Sequence, residues 1–133
     1  MANVIVTIFS IVTFLIGWNE TFMYEVAAGS FLEKKQVETL IGTLIGIATD
    51  FGVSALFGLA LALILKASTN NFWWLKGMLL AITWWIFFYG LLVGTQATAR
   101  DVLDIGTNSQ QLLGHLILGF LTSYFIIRLD VLE

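Results

Sequence analysis

The chain lacks cysteine and proline, and it has few charged residues. Without cysteine there is no disulfide framework, no cysteine-based zinc site and no cysteine-ligated iron–sulfur cluster. Charged residues make up 11% of the 133 positions, whereas soluble domains carry roughly 25%. A chain this short must present mostly surface, and so little charge cannot cover that surface in water. These shortages exclude an ordinary soluble domain and indicate lipid as the natural solvent.

Common catalytic and cofactor-binding motifs are also absent from the sequence. It contains no P-loop, no GxSxG, no HExxH and no haem-attachment motif. A single histidine cannot build a mononuclear metal site within one chain, and a net charge of −3 argues against a nucleic-acid partner. We therefore expect no metal, no cofactor and no nucleic acid, and we predict a protein that is not an enzyme.

Apolar residues, 59% of the chain, gather in four long runs. Crossing the hydrocarbon takes about 20 apolar residues in a helix. The runs cover about residues 4–23, 40–65, 72–94 and 112–129. Backbone in lipid must satisfy its own hydrogen bonds, and the runs do not alternate as barrel strands do. The prediction is an all-α polytopic membrane protein with one domain, 1–133, folded as a four-transmembrane-helix bundle.

Two stretches suggest an internal repeat within that bundle. Residues 40–45 (LIGTLI) resemble residues 112–117 (LLGHLI), and each stretch is expected to open the second helix of a hairpin. If the repeat is real, the protein consists of two tandem helical hairpins with the same orientation. Four crossings place both termini on one side. Basic residues tie at three on each side, so the positive-inside rule leaves the orientation open, and we favour cytoplasmic termini.

Small residues recur every four positions along the second predicted helix and so share one face. They let helix backbones approach closely in lipid, which predicts a tightly packed bundle or a homo-oligomer seam. The alternative is that small residues are simply common in membrane helices. The predicted packing positions are Gly42, Gly46, Ser54 and Gly58, with Gly90, Gly94 and Gly119 on the other helices.

Asp50 lies within that stripe, about 15 Å from the predicted start of the span. This is near the middle of a hydrocarbon core about 30 Å thick, where a charge costs at least about 2.5–3.5 kcal/mol. The side chain must therefore face the bundle and pair with a polar group, or remain protonated. It is either a cation or proton site, or a neutral packing clasp to another helix.

His115 and Glu20 are further candidates for intramembrane chemistry. His115 is expected about one turn inside the fourth helix. If the repeat is real, His115 matches Thr43 in depth, and Asp50 lies seven residues or about 10 Å deeper along the axis. The three residues could form a proton relay. The alternative, which we favour for His115, is a satisfied residue near a helix end.

Acidic residues gather on the side of the bundle with the longer loops. A solvated rim is one interpretation, a vestibule that attracts cations is another, and a docking face for a protein partner is a third. The rim consists of Glu25, Asp101 and Asp104, accompanied by Arg100.

The order of features resembles the four-helix bacterial membrane proteins of the YqhR type. The similarity is carried by residues 22–26 (FMYEV), 74–77 (WLKG) and 115–120 (HLILGF), with Trp84 or Trp85 mid-span and Tyr124 in the fourth helix. The resemblance implies four spans in a bacterial cytoplasmic membrane and brings no established activity.

Three functional hypotheses follow. The first is a homo-oligomeric channel, small transporter or assembly subunit in which Asp50 is the functional polar group. The second is a membrane anchor of a larger complex that uses the acidic loops to bind its partner. The third is a lipid-modifying enzyme with Glu20, Asp101, Asp104 and His115 near the interface.

Overall fold

A computed structural model describes residues 1–99 and 104–129. Within these ranges all regular structure is helical. The elements are α1 (Ala2–Leu15), α2 (Met23–Gly29), α3 (Lys34–Val37), α4 (Leu40–Ala67), α5 (Trp73–Trp84), a π-helical segment (Trp85–Gly90), α6 (Leu91–Gly94) and α7 (Ile105–Arg128).

Three of the described helices are long and apolar enough to cross a bilayer. They are α4, the continuous helix Trp73–Gly94 made of α5, the π-helical segment and α6, and α7. The predicted ranges 40–65 and 72–94 agree closely with the first two. The predicted range 112–129 starts too late, because α7 begins at Ile105. The all-helical fold is therefore confirmed, with three helices that could span a membrane by length and composition.

The prediction of one continuous helix over 4–23 is wrong, because α1 ends at Leu15. Gly17 adopts a left-handed conformation with φ +76°. The Gly17 amide donates to the Phe14 carbonyl and the Trp18 amide to the Thr13 carbonyl, each at 2.9 Å. This pair of bonds is the Schellman arrangement that closes a helix at a glycine. At 14 residues, α1 rises about 21 Å.

The beginning of α4 is covered by the short helices α2 and α3. The Thr39 hydroxyl accepts a hydrogen bond from the Gly42 amide at 3.1 Å and so caps α4. A Cβ at Gly42 would overlap the backbone carbonyls of Gln36 and Val37, and one at Gly46 would overlap the carbonyl of Tyr24. Both glycines therefore allow the backbones of α2 and α3 to lie directly on α4.

Helices α5 and α7 cross at a pair of glycines. A Cβ on Gly119 would overlap the Gly77 carbonyl and come within 2.8 Å of the Ala81 Cβ, while one on Gly77 would overlap Ser123 and the Gly119 carbonyl. Close backbone approach of this kind is how helices associate in lipid, where van der Waals packing replaces the hydrophobic effect. The apolar core lies beside this crossing and includes Phe57, Leu61, Leu65 and Ala81.

The outer face of α4 is apolar and exposed. Leu59 and Leu63 expose 58% and 59% of their surface, as expected for side chains that face hydrocarbon. Positions 40–45 open α4 as predicted, but 112–117 start in the third turn of α7. The two repeat-like stretches therefore occupy different places in their helices.

Candidate functional site

A cavity of about 240 Å³ lies between α1, α2, α4, the π-helical segment and α7. Its walls are mostly apolar, with polar side chains contributed by three different helices. The polar side chains that matter below are Asn3 and Ser10 of α1, Asp50 of α4, and Gln110, Gln111 and His115 of α7.

Asp50 is held by a hydrogen bond from α1. The Asn3 side-chain amide donates to Oδ2 of Asp50 at 3.1 Å, across 47 positions of sequence. This bond leaves Oδ1 of the carboxyl group without a protein partner among the hydrogen bonds of the described residues. Asp50 therefore faces the bundle, as its position in a membrane-spanning helix requires.

His115 lines the same cavity from α7. Its Nδ1 lies 2.8 Å from the Gln111 carbonyl oxygen, and a carbonyl can only accept. Nδ1 therefore carries the hydrogen, and in the neutral ring Nε2 is an acceptor. His115 stands ten positions after Ile105 and Asp50 stands ten positions after Leu40. The expected 10 Å difference in depth followed from matching His115 with Thr43 in the predicted repeat; in the structure His115 and Asp50 line one cavity.

Several buried polar atoms around the cavity have no hydrogen-bond partner within the described part of the chain. Gln110 and Gln111 expose 1% and 4% of their surface. Oε1 of Gln110, Nε2 of Gln111, Oγ of Ser10 and Nε1 of Trp84 are all unpaired. Leaving such a group unpaired costs about 1–3 kcal/mol. Their side chains line the cavity, so a turn of each side chain would bring its unpaired atom to a molecule that occupies the cavity.

Aromatic rings form much of the apolar lining. Phe22 and Tyr24 stack with centroids 5.2 Å apart at one end of α2. Trp84 and Phe88 lie 4.5 Å apart where α5 passes into the π-helical segment. Phe31 completes the aromatic set that lines the cavity. Single π-helical turns within α-helices are frequent at functional sites, and here one places an aromatic side chain at the cavity.

A second cavity of about 340 Å³ adjoins the first. Along α7, the first cavity is lined by positions from Gln110 to Leu118, and the second by positions from Leu118 to Leu129. Asn3, Ser54 and Leu118 line both. These three residues, called the shared wall below, therefore lie where two cavities meet along the helices, and Asp50 is hydrogen-bonded to one of them.

The acidic residues predicted as a rim are partly used as helix caps. Oε2 of Glu25 accepts from the Phe22 amide at 3.1 Å, and Oδ1 of Asp104 accepts from the Thr107 amide at 2.6 Å. Asp101 and Arg100 lie outside the described residues. Across residues 1–99 and 104–129, no three His, Asp or Glu side chains come together as a metal site.

Glu20 is not among the residues that line the cavity with Asp50 and His115. It is exposed, and its backbone amide donates to the Thr107 hydroxyl at 3.1 Å. The structure thus brings together two of the three residues predicted for a relay and leaves the third on the surface.

The predicted packing positions divide into three groups. Gly42, Gly46 and Gly119 are buried at close backbone contacts. Gly58 meets the Thr122 methyl group at an ordinary 3.8 Å, and Ser54 belongs to the shared wall. Gly90 and Gly94 are exposed, and nothing lies within 4 Å of a Cβ placed on Gly94.

Sequence reasoning missed Asn3, Gln110 and Gln111 as site residues. Asn3 directly precedes the first apolar run, so it could have been recognised as a polar residue entering a helix. The two glutamines precede the predicted apolar span 112–129, so they were not expected to line a cavity in the bundle. The available signal was Asp104, which caps α7 eight positions earlier.

Polar side chains from α1, α4 and α7 therefore meet in one cavity, and α4 and α7 are of membrane-spanning length. Comparison of the chain with protein-family models, with curated proteins and with solved structures finds no match.

Proposed function

We propose that this chain is a small transporter-like membrane protein that takes a polar solute or proton into the cavity at Asp50. The observation that carries the proposal is the shared wall: two cavities meet at Asn3, Ser54 and Leu118, and Asn3 binds Asp50. A solute site beside residues that line two adjoining cavities suits alternating access, in which one site is reached in turn from the two sides of the membrane.

The extent of the two cavities supports a route across the bilayer. On α7 their lining runs from Gln110 to Leu129, a rise of about 28 Å. The hydrocarbon core is about 30 Å thick. Movement of the shared wall would therefore connect regions near the two membrane surfaces.

In this proposal α1 completes a four-helix bundle, with the termini in the cytoplasm of a bacterial cell and a pair of tandem hairpins as the organising plan. The support for α1 as a fourth helix is its contact with α7 and its hydrogen bond to α4. Gly90 and Gly94 lie exposed on the helix formed by α5 to α6. They offer a close-packing surface to a second copy of the chain, in accord with a homo-oligomer.

The other two hypotheses receive less support from the geometry. An anchor that docks through acidic loops would use Glu25 and Asp104, yet both carboxylates cap helices. An enzyme would need Asp104 near His115, but eleven helical positions separate them by about 16 Å.

Water access to the cavities tests the proposal directly. Because the chain has no cysteine, single cysteines can be introduced without a background. Thr49→Cys lies in the first cavity and Thr122→Cys in the second. In oriented vesicles, a membrane-impermeant maleimide should label Thr49→Cys from one side and Thr122→Cys from the other.

Leu59→Cys is the matched control on the lipid-facing side of α4. It should react with the maleimide from neither side. Labelling of Thr49→Cys and Thr122→Cys at the low level of Leu59→Cys, in variants that elute as folded protein, would contradict a solute route.

A further inference from the structure

We propose that the first cavity binds a small organic ammonium ion that carries a hydroxyl group, a ligand of the choline type. This inference rests on the proposed function and names its substrate class. Three independent features of the cavity carry it: the sign of its charge, the aromatic character of its walls and the unpaired amides at its α7 side.

The charge of the cavity selects a cation. Asp50 is the acidic side chain among the described lining residues, and no lysine or arginine lines the cavity with it. Asn3 contributes one neutral hydrogen bond to Oδ2, which orients the carboxylate without neutralising it. When Asp50 is ionised, a bound cation supplies the counter-charge that stabilises a carboxylate inside a membrane.

The walls favour an organic cation over a metal ion. Five aromatic side chains line the cavity with Asp50: Phe22, Tyr24, Phe31, Trp84 and Phe88. Aromatic rings attract quaternary ammonium groups through their negative faces. Calcium sites usually combine several carboxylates, whereas Asp50 is the single carboxylate among the described lining residues. A weakly hydrated ammonium group satisfies both the rings and the carboxylate.

The amides on α7 add a requirement for hydrogen bonding. Oε1 of Gln110 is an unpaired acceptor, Nε2 of Gln111 an unpaired donor, and the Ser10 hydroxyl is unpaired as well. A purely apolar cation would leave all three atoms unsatisfied. A hydroxyl group on the ligand can donate to Oε1 of Gln110 and accept from Nε2 of Gln111. The ligand is therefore a cation with a polar arm, and the volume of about 240 Å³ limits it to a small molecule.

Choline and its uncharged isostere 3,3-dimethylbutan-1-ol test the inference on the full chain in nanodiscs, by calorimetric titration. Both probes have the same shape and the same hydroxyl group, so their comparison isolates the charge. We expect saturable binding of choline and at least about tenfold weaker binding of the alcohol. Asp50→Asn should weaken choline binding about tenfold or more, whereas Asp50→Glu should retain it, because a buried charge pair is worth more than one decade of affinity.

Matched variants separate the site from general effects. Glu33→Gln removes an exposed carboxylate outside the cavity and should leave the affinity unchanged. Phe88→Leu should weaken choline binding by about 3- to 30-fold, the range of a cation–π contact in a desolvated site. Phe87 is an exposed neighbouring ring that does not line the cavity, so Phe87→Leu should leave the affinity for choline unchanged.

Equal binding of choline and the alcohol overturns the inference, as does equal loss in Asp50→Asn and Glu33→Gln. Absence of choline binding to a folded chain also overturns it. If cysteine labelling of both cavities persists in that case, the transporter-like function stands with a different solute. If the labelling fails as well, the proposed function fails with it.

Discussion

Asn3, near the start of α1, donates a hydrogen bond from its side-chain amide to the carboxylate of Asp50 in α4 at 3.1 Å. The contact ties α1 to α4 and forms part of the partition between the two cavities. One hydrogen bond thus connects the packing of the bundle to the group that we propose binds the solute.

A double-mutant cycle measures what this bond contributes to stability. Asn3→Ala and Asp50→Ala should each lower the free energy of unfolding, with a coupling energy of about 0.6 kcal/mol and no more than about 1.7 kcal/mol, the range measured between membrane helices. Reversible unfolding in mixed micelles gives the free energies of unfolding of the unmodified chain, the two single variants and the double variant. Thr7→Ala is the control, because the Thr7 hydroxyl bonds to the Asn3 carbonyl instead of Asp50. Equal coupling of Thr7 and Asn3 to Asp50 would contradict the assignment.

The crossing of α5 and α7 should be intolerant of a single methyl group. Gly77→Ala would force a Cβ into Ser123 and the Gly119 carbonyl, and overpacking of this kind costs about 1–3 kcal/mol. Gly52→Ala adds the same methyl group to α4 where nothing lies within 4 Å. It should be neutral or stabilise by up to about 1 kcal/mol through helix propensity. Unfolding in micelles compares the two, and equal effects would refute the crossing.

Two glycines of the same stripe on α4 should respond differently to alanine. Gly46→Ala would press a Cβ onto the Tyr24 carbonyl and displace α2, whereas at Gly58 the nearest atom is a methyl group at 3.8 Å. We expect a loss of about 1–3 kcal/mol for Gly46→Ala and little change for Gly58→Ala. Thermal unfolding in detergent is the measurement. A larger loss at Gly58 would show that α2 does not lie on α4 as described.

Asp104 should act as a helix cap. Asp104→Ala removes the acceptor for the Thr107 amide and should cost about 0.5–2 kcal/mol. Asp104→Ser keeps a capping oxygen and should restore most of that loss. Hydrogen exchange at the first turn of α7 reports the effect locally. If both variants exchange like the unmodified chain, the carboxylate has another role.

The helices that the sequence predicts well are those whose apolar runs end at polar residues. The run that forms α4 ends at Lys66, and polar Asn70 and Asn71 precede the next helix. In lipid the apolar run and the helix coincide, because the same residues must be apolar to face hydrocarbon and helical to satisfy their backbone.

Prediction failed where a helix and its apolar run differ in length. The apolar residues around Gly17 continue past the end of α1, because a glycine can end a helix by adopting φ > 0 without any change in hydropathy. Conversely, α7 includes six polar or small positions before Leu112, since its buried face tolerates amides that line a cavity. Asp50 was recognisable because a charge is rare in a span, whereas its partner Asn3 depends on tertiary packing across 47 positions.

The shortness of α1 has a consequence for the surrounding lipid. If α1 crosses the bilayer as proposed, its length of about 21 Å falls roughly 9 Å short of a hydrocarbon layer about 30 Å deep, and local thinning of the membrane relieves such a hydrophobic mismatch. The thinned region of the membrane would lie beside α1, the helix that supplies Asn3 to the shared wall. Shorter acyl chains should therefore stabilise the protein, and the thickness of the host membrane becomes a determinant of how readily water reaches its polar interior.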